Sequence, residues 1–144
     1  MVEIKELPIR ITVETPNVTV SDTTANVESD FITIQVPPKT TYVIKENDWL
    51  YLKPKASDGS AITSGVVRVY KANATKTTKL KIFEATLTQV SEQQDANKKA
   101  YFGTTFTADE YEYIIITLES GTAAAAAQLT SEDFTLTATQ VIEL

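Results

Sequence analysis

Nineteen carboxylates and thirteen lysines and arginines, with no histidine and no cysteine, carry whatever chemistry this 144-residue chain has. A serine or cysteine nucleophile activated by imidazole is excluded, because the base does not exist. Zinc and copper lose their usual ligands, which leaves only oxygen sites for calcium or magnesium. The acids that cluster are Asp109-Glu110-Tyr111-Glu112, Glu132-Asp133 and the run from Asp22 to Asp30. None follows the Asp-x-Asp-x-Asp-Gly order of a calcium loop. Glu84, Glu112 and Glu119 are of the right type for paired-carboxylate glycoside hydrolysis. Among nineteen acids, however, some pair always lies at a suitable separation, and solvated strand faces explain these three equally well. No spacing singles out a Ser-Lys pair, and Gly59, Gly65, Gly103 and Gly121 are too scattered to cradle a phosphate. The expectation is a protein without catalytic residues, metal site or cofactor.

The aromatic residues suggest binding more than chemistry. In Asp48-Trp-Leu-Tyr-Leu-Lys53, alternation sends Trp49 and Tyr51 to one face and Leu50 and Leu52 to the other. With the leucines inward, Trp49 and Tyr51 form an exposed pair that stacks on a sugar or anchors a partner. With the aromatics inward, the segment is a normal strand with two large core residues. A lone tryptophan commonly anchors the core of a sandwich, which favours the inward reading. Trp49 and Tyr51 are nonetheless the candidate partner or ligand contacts. Tyr111 and Tyr113 pose the same question, and Ile114-Ile-Ile116 points to burial on both faces, as in a central strand or one covered by a neighbour. Asn17-Val-Thr19 and Asn73-Ala-Thr75 match the glycosylation triplet, which arises easily by chance in a chain with 23 threonines.

The elements that would position these residues are strands. Ile9–Val13, Phe31–Val36, Val66–Tyr70, Lys79–Ile82, Tyr111–Leu118 and Phe134–Ala138 all alternate apolar and polar residues. Pro37-Pro38 and Pro54 stop their strands, and Asp58-Gly59 marks a turn. Thr40–Lys45 and Trp49–Lys53 flank Glu46-Asn-Asp48, a polar connection of hairpin length. Gly65–Lys71 and Lys79–Val90 flank a second loop at Ala72–Thr78. The second of these runs changes phase, with Leu80 and Ile82 on one face but Phe83, Ala85 and Leu87 on the other. A β-bulge near Ile82-Phe83, or a strand passing between sheets, would place both sets together. The five alanines Ala123–Ala127 have high helix propensity but little length, so one helical turn or a flexible loop is expected there. The sum is one all-β domain spanning 1–144: an antiparallel β-sandwich of about nine or ten short strands, of which the jelly roll is one form, with a closed barrel as the alternative that the same pattern allows.

Charge is unevenly placed along the chain. Residues 1–38 hold two basic and six acidic side chains, residues 39–99 eleven and six, and residues 100–144 none and seven. A net charge of −6 argues against a nucleic-acid partner. No apolar run approaches the ~20 residues that span a bilayer, so no membrane partner is expected. The segregation either lets the acidic end of one copy meet the basic middle of another, or vanishes when neighbouring strands mix the charges in space.

Taken over its whole length, a small, threonine-rich sandwich pattern without histidine or cysteine (Ile9–Val13, Phe31–Val36, Val66–Tyr70, Tyr111–Leu118) resembles the minor capsid, decoration and accessory proteins of viruses and phages. No diagnostic motif carries the likeness. It implies a non-enzymatic structural protein, assembled in the host cytoplasm and located in the virion. It further implies contacts with other copies of itself or with a major capsid protein, for which the terminal segments Val2–Val13 and Phe134–Leu144 are the natural strands. The alternative is a carbohydrate-binding or adhesin-like module of an extracellular or cell-surface protein, with a glycan as ligand.

Overall fold

A computed structural model describes residues 3–11, 18–23, 28–56, 65–91, 100–120, 124–129 and 134–143. The strands are β1 (Ile4–Ile11), β2 (Val18–Thr23), β3 (Glu28–Gln35), β4 (Thr40–Ile44), β5 (Trp49–Leu52), β6 (Lys55–Ala56), β7 (Gly65–Ala72) and β8 (Lys79–Thr86). A single turn of helix, α1 (Leu87–Ser91), precedes β9 (Ala100–Tyr101), β10 (Phe106–Ala108), β11 (Tyr113–Ser120), β12 (Ala124–Leu129) and β13 (Phe134–Glu143). Every pairing is antiparallel.

Several strands are pieces of one line. β4 pairs with Thr139–Ile142 of β13 and β5 with Phe134–Leu136, so the two follow each other along one edge of β13 while β1 takes the other. β10 and β9 lie in the same way against β4 and β5. The β2–β12 pairs keep the register of the β3–β11 pairs, with Thr23 opposite Ala124 and Glu28 opposite Glu119. β6 pairs with β12 as β7 pairs with β11. Counted in chain order as lines, one sheet reads 1-8-3-6 and the other 2-7-4-5. That order is a jelly-roll sandwich.

The expected hairpin between β4 and β5 is therefore not formed. Lys45 N–H donates to the Asp48 carboxylate at 2.8 Å and Asp48 N–H to the Lys45 carbonyl at 3.0 Å, closing a small loop that returns the chain to its original direction. A matching break in the β9–β10 line lies beside it. Phe102 N–H donates to the Asp48 carbonyl and Gly103 N–H to that of Glu46, at 2.9 and 3.0 Å. Gly103 makes that approach at φ +68°, where a side chain would be strained.

The core lies between the two sheets. Leu50, Leu52, Leu136 and Ile44 face Ile114, Ile116 and Val69, all with no exposed surface. Leu87 and Val90 of α1 plug the same core, so the segment expected to continue as a strand to Val90 is helical at its end. Phe83, Phe102 and Phe106 stack edge to face, with centroids 4.9 and 5.9 Å apart, and join β8 to the β9–β10 line. The expected bulge is present: Val69 faces Phe83 and Tyr70 faces Lys81, so Ile82 is the extra residue. It turns Phe83 and Ala85 toward the core but leaves Leu80 61% exposed beyond the end of it. A second bulge, at Phe31, lets Phe31 and Ile32 both enter the core. The alanines expected to form a turn of helix or a loop are instead strand from Ala124 onward. Hydrogen-bonding partners on both sides, β2 and β6, outweigh a helix propensity of at most a few tenths of a kcal/mol per residue.

Leu136→Ala and Leu80→Ala delete the same atoms at the two extremes of burial. Urea unfolding is expected to show a loss of about 2–5 kcal/mol for the first and within about 0.5 kcal/mol of no change for the second. Equal losses would show that Leu80 is covered.

Candidate interaction faces

The outer face of the six-stranded sheet is built around β5. Leu50 and Leu52 are fully buried, which turns Trp49 and Tyr51 outward, where each is half-buried. This corrects the inward reading of Trp49: the core already holds Phe134 and Leu136 opposite the leucines, and β5 has only one register with them. Tyr101 is the cross-strand partner of Trp49 and is 48% exposed. The guanidinium of Arg10, on β1, sits 5.6 Å from the centre of the indole, within cation–π range. Trp49 N–H donates to Thr137 Oγ1 at 2.9 Å across the sheet. Next to Arg10 an open depression of about 260 Å³ runs between Pro8, Asp48, Thr137 and Thr139. Tyr101 and Arg10 escape sequence reasoning because β9 and β1 reach β5 only through pairings that leave no local signal.

The outer face of the four-stranded sheet holds the charges. β11 is its central strand, with Ile114, Ile115 and Ile116 fully buried, as the triple isoleucine predicts. Ile115 and Thr117 point away from the core cluster and are covered from outside. Arg68, opposite Thr117 on β7, bonds Glu84 at 2.5 Å and Glu28 and Glu119 at 3.2 Å each. Glu28 also accepts from the hydroxyls of Thr117 at 2.7 Å and Tyr70 at 2.9 Å. Beside this hub, the Lys79 ammonium lies 6.0 Å from the Tyr70 ring and that of Lys76 lies 4.5 Å from the Tyr113 ring. Tyr113 is half-buried there, while Tyr111 sits in a turn at φ 68°, 47% exposed.

Protonation follows from that geometry. Burial works against the ionised form of Glu28, but hydrogen bonds from Thr117, Tyr70 and Arg68 outweigh it and hold its carboxyl below the ordinary value. The Arg68 hydrogen bond, with Lys81 nearby, lowers Glu84 in the same direction. Burial, with the Glu28 carboxylate behind it, raises the Tyr70 phenol.

The acidic stretch Asp109–Glu112 hydrogen-bonds to backbone and hydroxyl donors. Glu110 accepts from Lys39 N–H and Glu112 from Asp109 N–H, at 2.5 and 2.7 Å. Asp109 accepts from Thr41 at 3.2 Å. These carboxylates fasten the β10–β11 corner to the β3–β4 corner. Asn73, in one glycosylation triplet, accepts from Thr77 N–H and Thr78 N–H at 2.8 and 3.2 Å and so shapes the β7–β8 loop. Asn17, Glu132 and Asp133 lie outside the described residues, and so do residues 24–27 of the Asp22–Asp30 run. The uneven charge of the sequence is interleaved in space: cations of residues 39–99 meet Glu28, Asp30, Glu112 and Glu119 from the two acidic ends.

A carboxyl held below its ordinary value stabilises the fold above its unfolded value near 4.5, and that stability is lost as pH falls through the folded value. Glu28→Gln is therefore expected to flatten the loss of urea stability between about pH 5 and pH 3, and to cost about 1 kcal/mol at pH 7. An unchanged slope would remove Glu28 from the acid response.

No family model matches the chain, and no curated protein matches it. Among solved structures it is similar to VP17, a capsid protein of bacteriophage P23-77, with a TM-score of 0.72 at 8% identity, covering 99% of this chain and 98% of that one. It is also similar to a chain of the VP16-VP17 complex, a complex of the two major capsid proteins of the same phage. There the TM-score is 0.66 at 7% identity, covering 99% and 100%. At those identities the likeness is one of fold, and it runs over nearly the whole of this chain.

Proposed function

We propose that this chain is a non-enzymatic structural protein of a virus or phage capsid, acting through protein–protein contacts in the virion. The observation that carries the reading is the end-to-end likeness to VP17, which covers 99% of this chain and 98% of that one. The VP16-VP17 neighbour belongs to a complex of two capsid proteins. By analogy the partners of this chain are further copies of itself or a second capsid protein. We assign it to the capsid-associated class that includes minor and decoration proteins, assembled in the host cytoplasm. Its copy number relative to the most abundant shell protein distinguishes a shell position from a decorating one.

The contact we favour is the outer face bearing Trp49, Tyr51 and Tyr101. Large aromatic side chains with a polar rim of Arg10, Thr137 and Thr139 are the composition of an interface centre. The carbohydrate-binding alternative draws on the same three rings. It ranks second because Arg10 lies over the indole, on a surface where a sugar would stack.

The chain is expected in mass spectra of purified parent particles at a fixed ratio to the major shell protein. Its absence from them would end the capsid reading. Trp49→Ala combined with Tyr101→Ala is expected to lower incorporation by about thirtyfold, the effect of losing ~2 kcal/mol of contact energy. A glycan array bound by the unaltered protein, and not by this variant, would instead establish the alternative.

A further inference from the structure

Each sheet leaves the outer side of its two marginal lines unpaired among the described residues, β1 and β9–β10 in one and β2–β3 and β8 in the other, and two of these margins stand out. β1 bonds to β13 and β8 to β7, and among the described residues neither pairs with a further strand. Each is eight residues long and each turns large apolar side chains to solvent: Ile4 (62% exposed) and Leu7 (36%) on β1, Leu80 (61%) on β8. Open edges with exposed apolar residues are templates for another strand. Both edges also carry the usual guards against indiscriminate pairing, namely Pro8, Lys5 and Glu6 on one, Lys79, Lys81 and the Ile82 bulge on the other. Charged guards of this kind repel most strands and admit the one whose charges answer them.

The two edges answer each other. Leu7, in phase with Ile9 and Ile11, lies on the inner side of its sheet, and so does Leu80, aligned through Lys71 with Ile114. Glu6, opposite Val141, and Lys81, opposite Tyr70, lie on the outer sides. In an antiparallel ladder, opposed residues share a face. The register that sets Leu7 against Leu80 also sets Glu6 against Lys81, inner with inner and outer with outer. One chain cannot make this contact with itself. β8 lies at the β9–β10 end of the sandwich, where Phe83 meets Phe102, whereas β1 closes the opposite end of the six-stranded sheet.

We propose that β1 of one copy adds antiparallel to β8 of a second copy, with Leu7 against Leu80 and Glu6 against Lys81. The contact joins two different edges, so it is heterologous and carries assembly past the dimer into a ring or a chain. It uses neither Trp49 nor Tyr101, and it stands or falls separately from the aromatic face.

The chain has no cysteine, which makes the register directly testable. Leu7→Cys and Leu80→Cys are mixed in equal amounts with oxidised glutathione as electron acceptor. A disulfide-linked dimer is expected in about tenfold excess over either variant alone, since directly opposed residues lie within disulfide reach. The excess is expected to vanish when Thr86→Cys replaces Leu80→Cys. In light scattering over a concentration range, Glu6→Lys and Lys81→Glu are each expected to weaken association about fivefold, and the two together in one chain to restore it. Equal crosslinking in all mixtures, a strict monomer at every concentration, or association that stops at two copies would overturn the proposal.

Discussion

A strand buried on both faces must be roofed on the side away from the core, and β11 sets that requirement for the whole molecule. Ile114, Ile116 and Leu118 face the opposite sheet, while Ile115 and Thr117 face outward and still have almost no contact with solvent. The roof over them is made of the longest polar side chains on the flanking strands. Tyr70 and Arg68 on β7 stand directly opposite Ile115 and Thr117, and Glu28 reaches both of them and the Thr117 hydroxyl from β3. A guanidinium shared among three carboxylates is worth little where each pair is exposed. Here its larger effect is positional, because the pairing fixes the Arg68 stem and the Tyr70 phenol on the outer face beside an apolar strand.

The same economy of local polar groups shapes the ends of the sheets. The β4–β5 line needs a break beside the break in β9–β10, and the two supply each other's hydrogen bonds through Asp48, Phe102, Glu46 and Gly103. At the far end, Val36 N–H donates to the Glu112 carbonyl and Tyr111 N–H to that of Val36, both at 2.9 Å, which prolongs the β3–β11 pairing into the corner. The carboxylates of Asp109, Glu110 and Glu112 then satisfy donors that no strand reaches. A backbone N–H left unpaired inside such a corner costs about as much as the hydrogen bond it lacks. The acidic cluster thus has a structural use in turn chemistry.

Period-two alternation made the strands and their buried sets readable, because one face of each antiparallel strand must meet the core. Ile32, Ile34 and Val36, or Phe134, Leu136 and Ala138, could be assigned inward with no further knowledge. The phase change at Ile82-Phe83 even located a bulge. What alternation cannot supply is which face wins when both are apolar, and Trp49-Leu-Tyr-Leu52 is that case. The answer lay more than 80 residues away, in the Leu136 and Phe134 that oppose Leu50 and Leu52. Partner choice also decided the alanines, which form a strand because two strands flank them. It decided the polar Glu46–Asp48 loop as well, which restores the chain direction where a hairpin would reverse it.

An identity of 8% across 99% of the chain bears on where function resides. A jelly roll constrains the type of residue at inward positions but hardly its identity, so the core can drift almost completely while the line order persists. Contacts between subunits have no such latitude, because a charge must meet its opposite and an apolar side chain a matching hollow. Two proteins that share a fold and almost no residues therefore cannot share their contacts side chain by side chain. Any assembly this chain enters must be specified by surfaces of its own. Two such surfaces leave the sandwich without cost to the core: the Trp49–Tyr51–Tyr101 face and the unpaired edges of β1 and β8. Each sets apolar residues against solvent at positions where a threonine, the commonest residue of this chain, would serve the isolated fold as well.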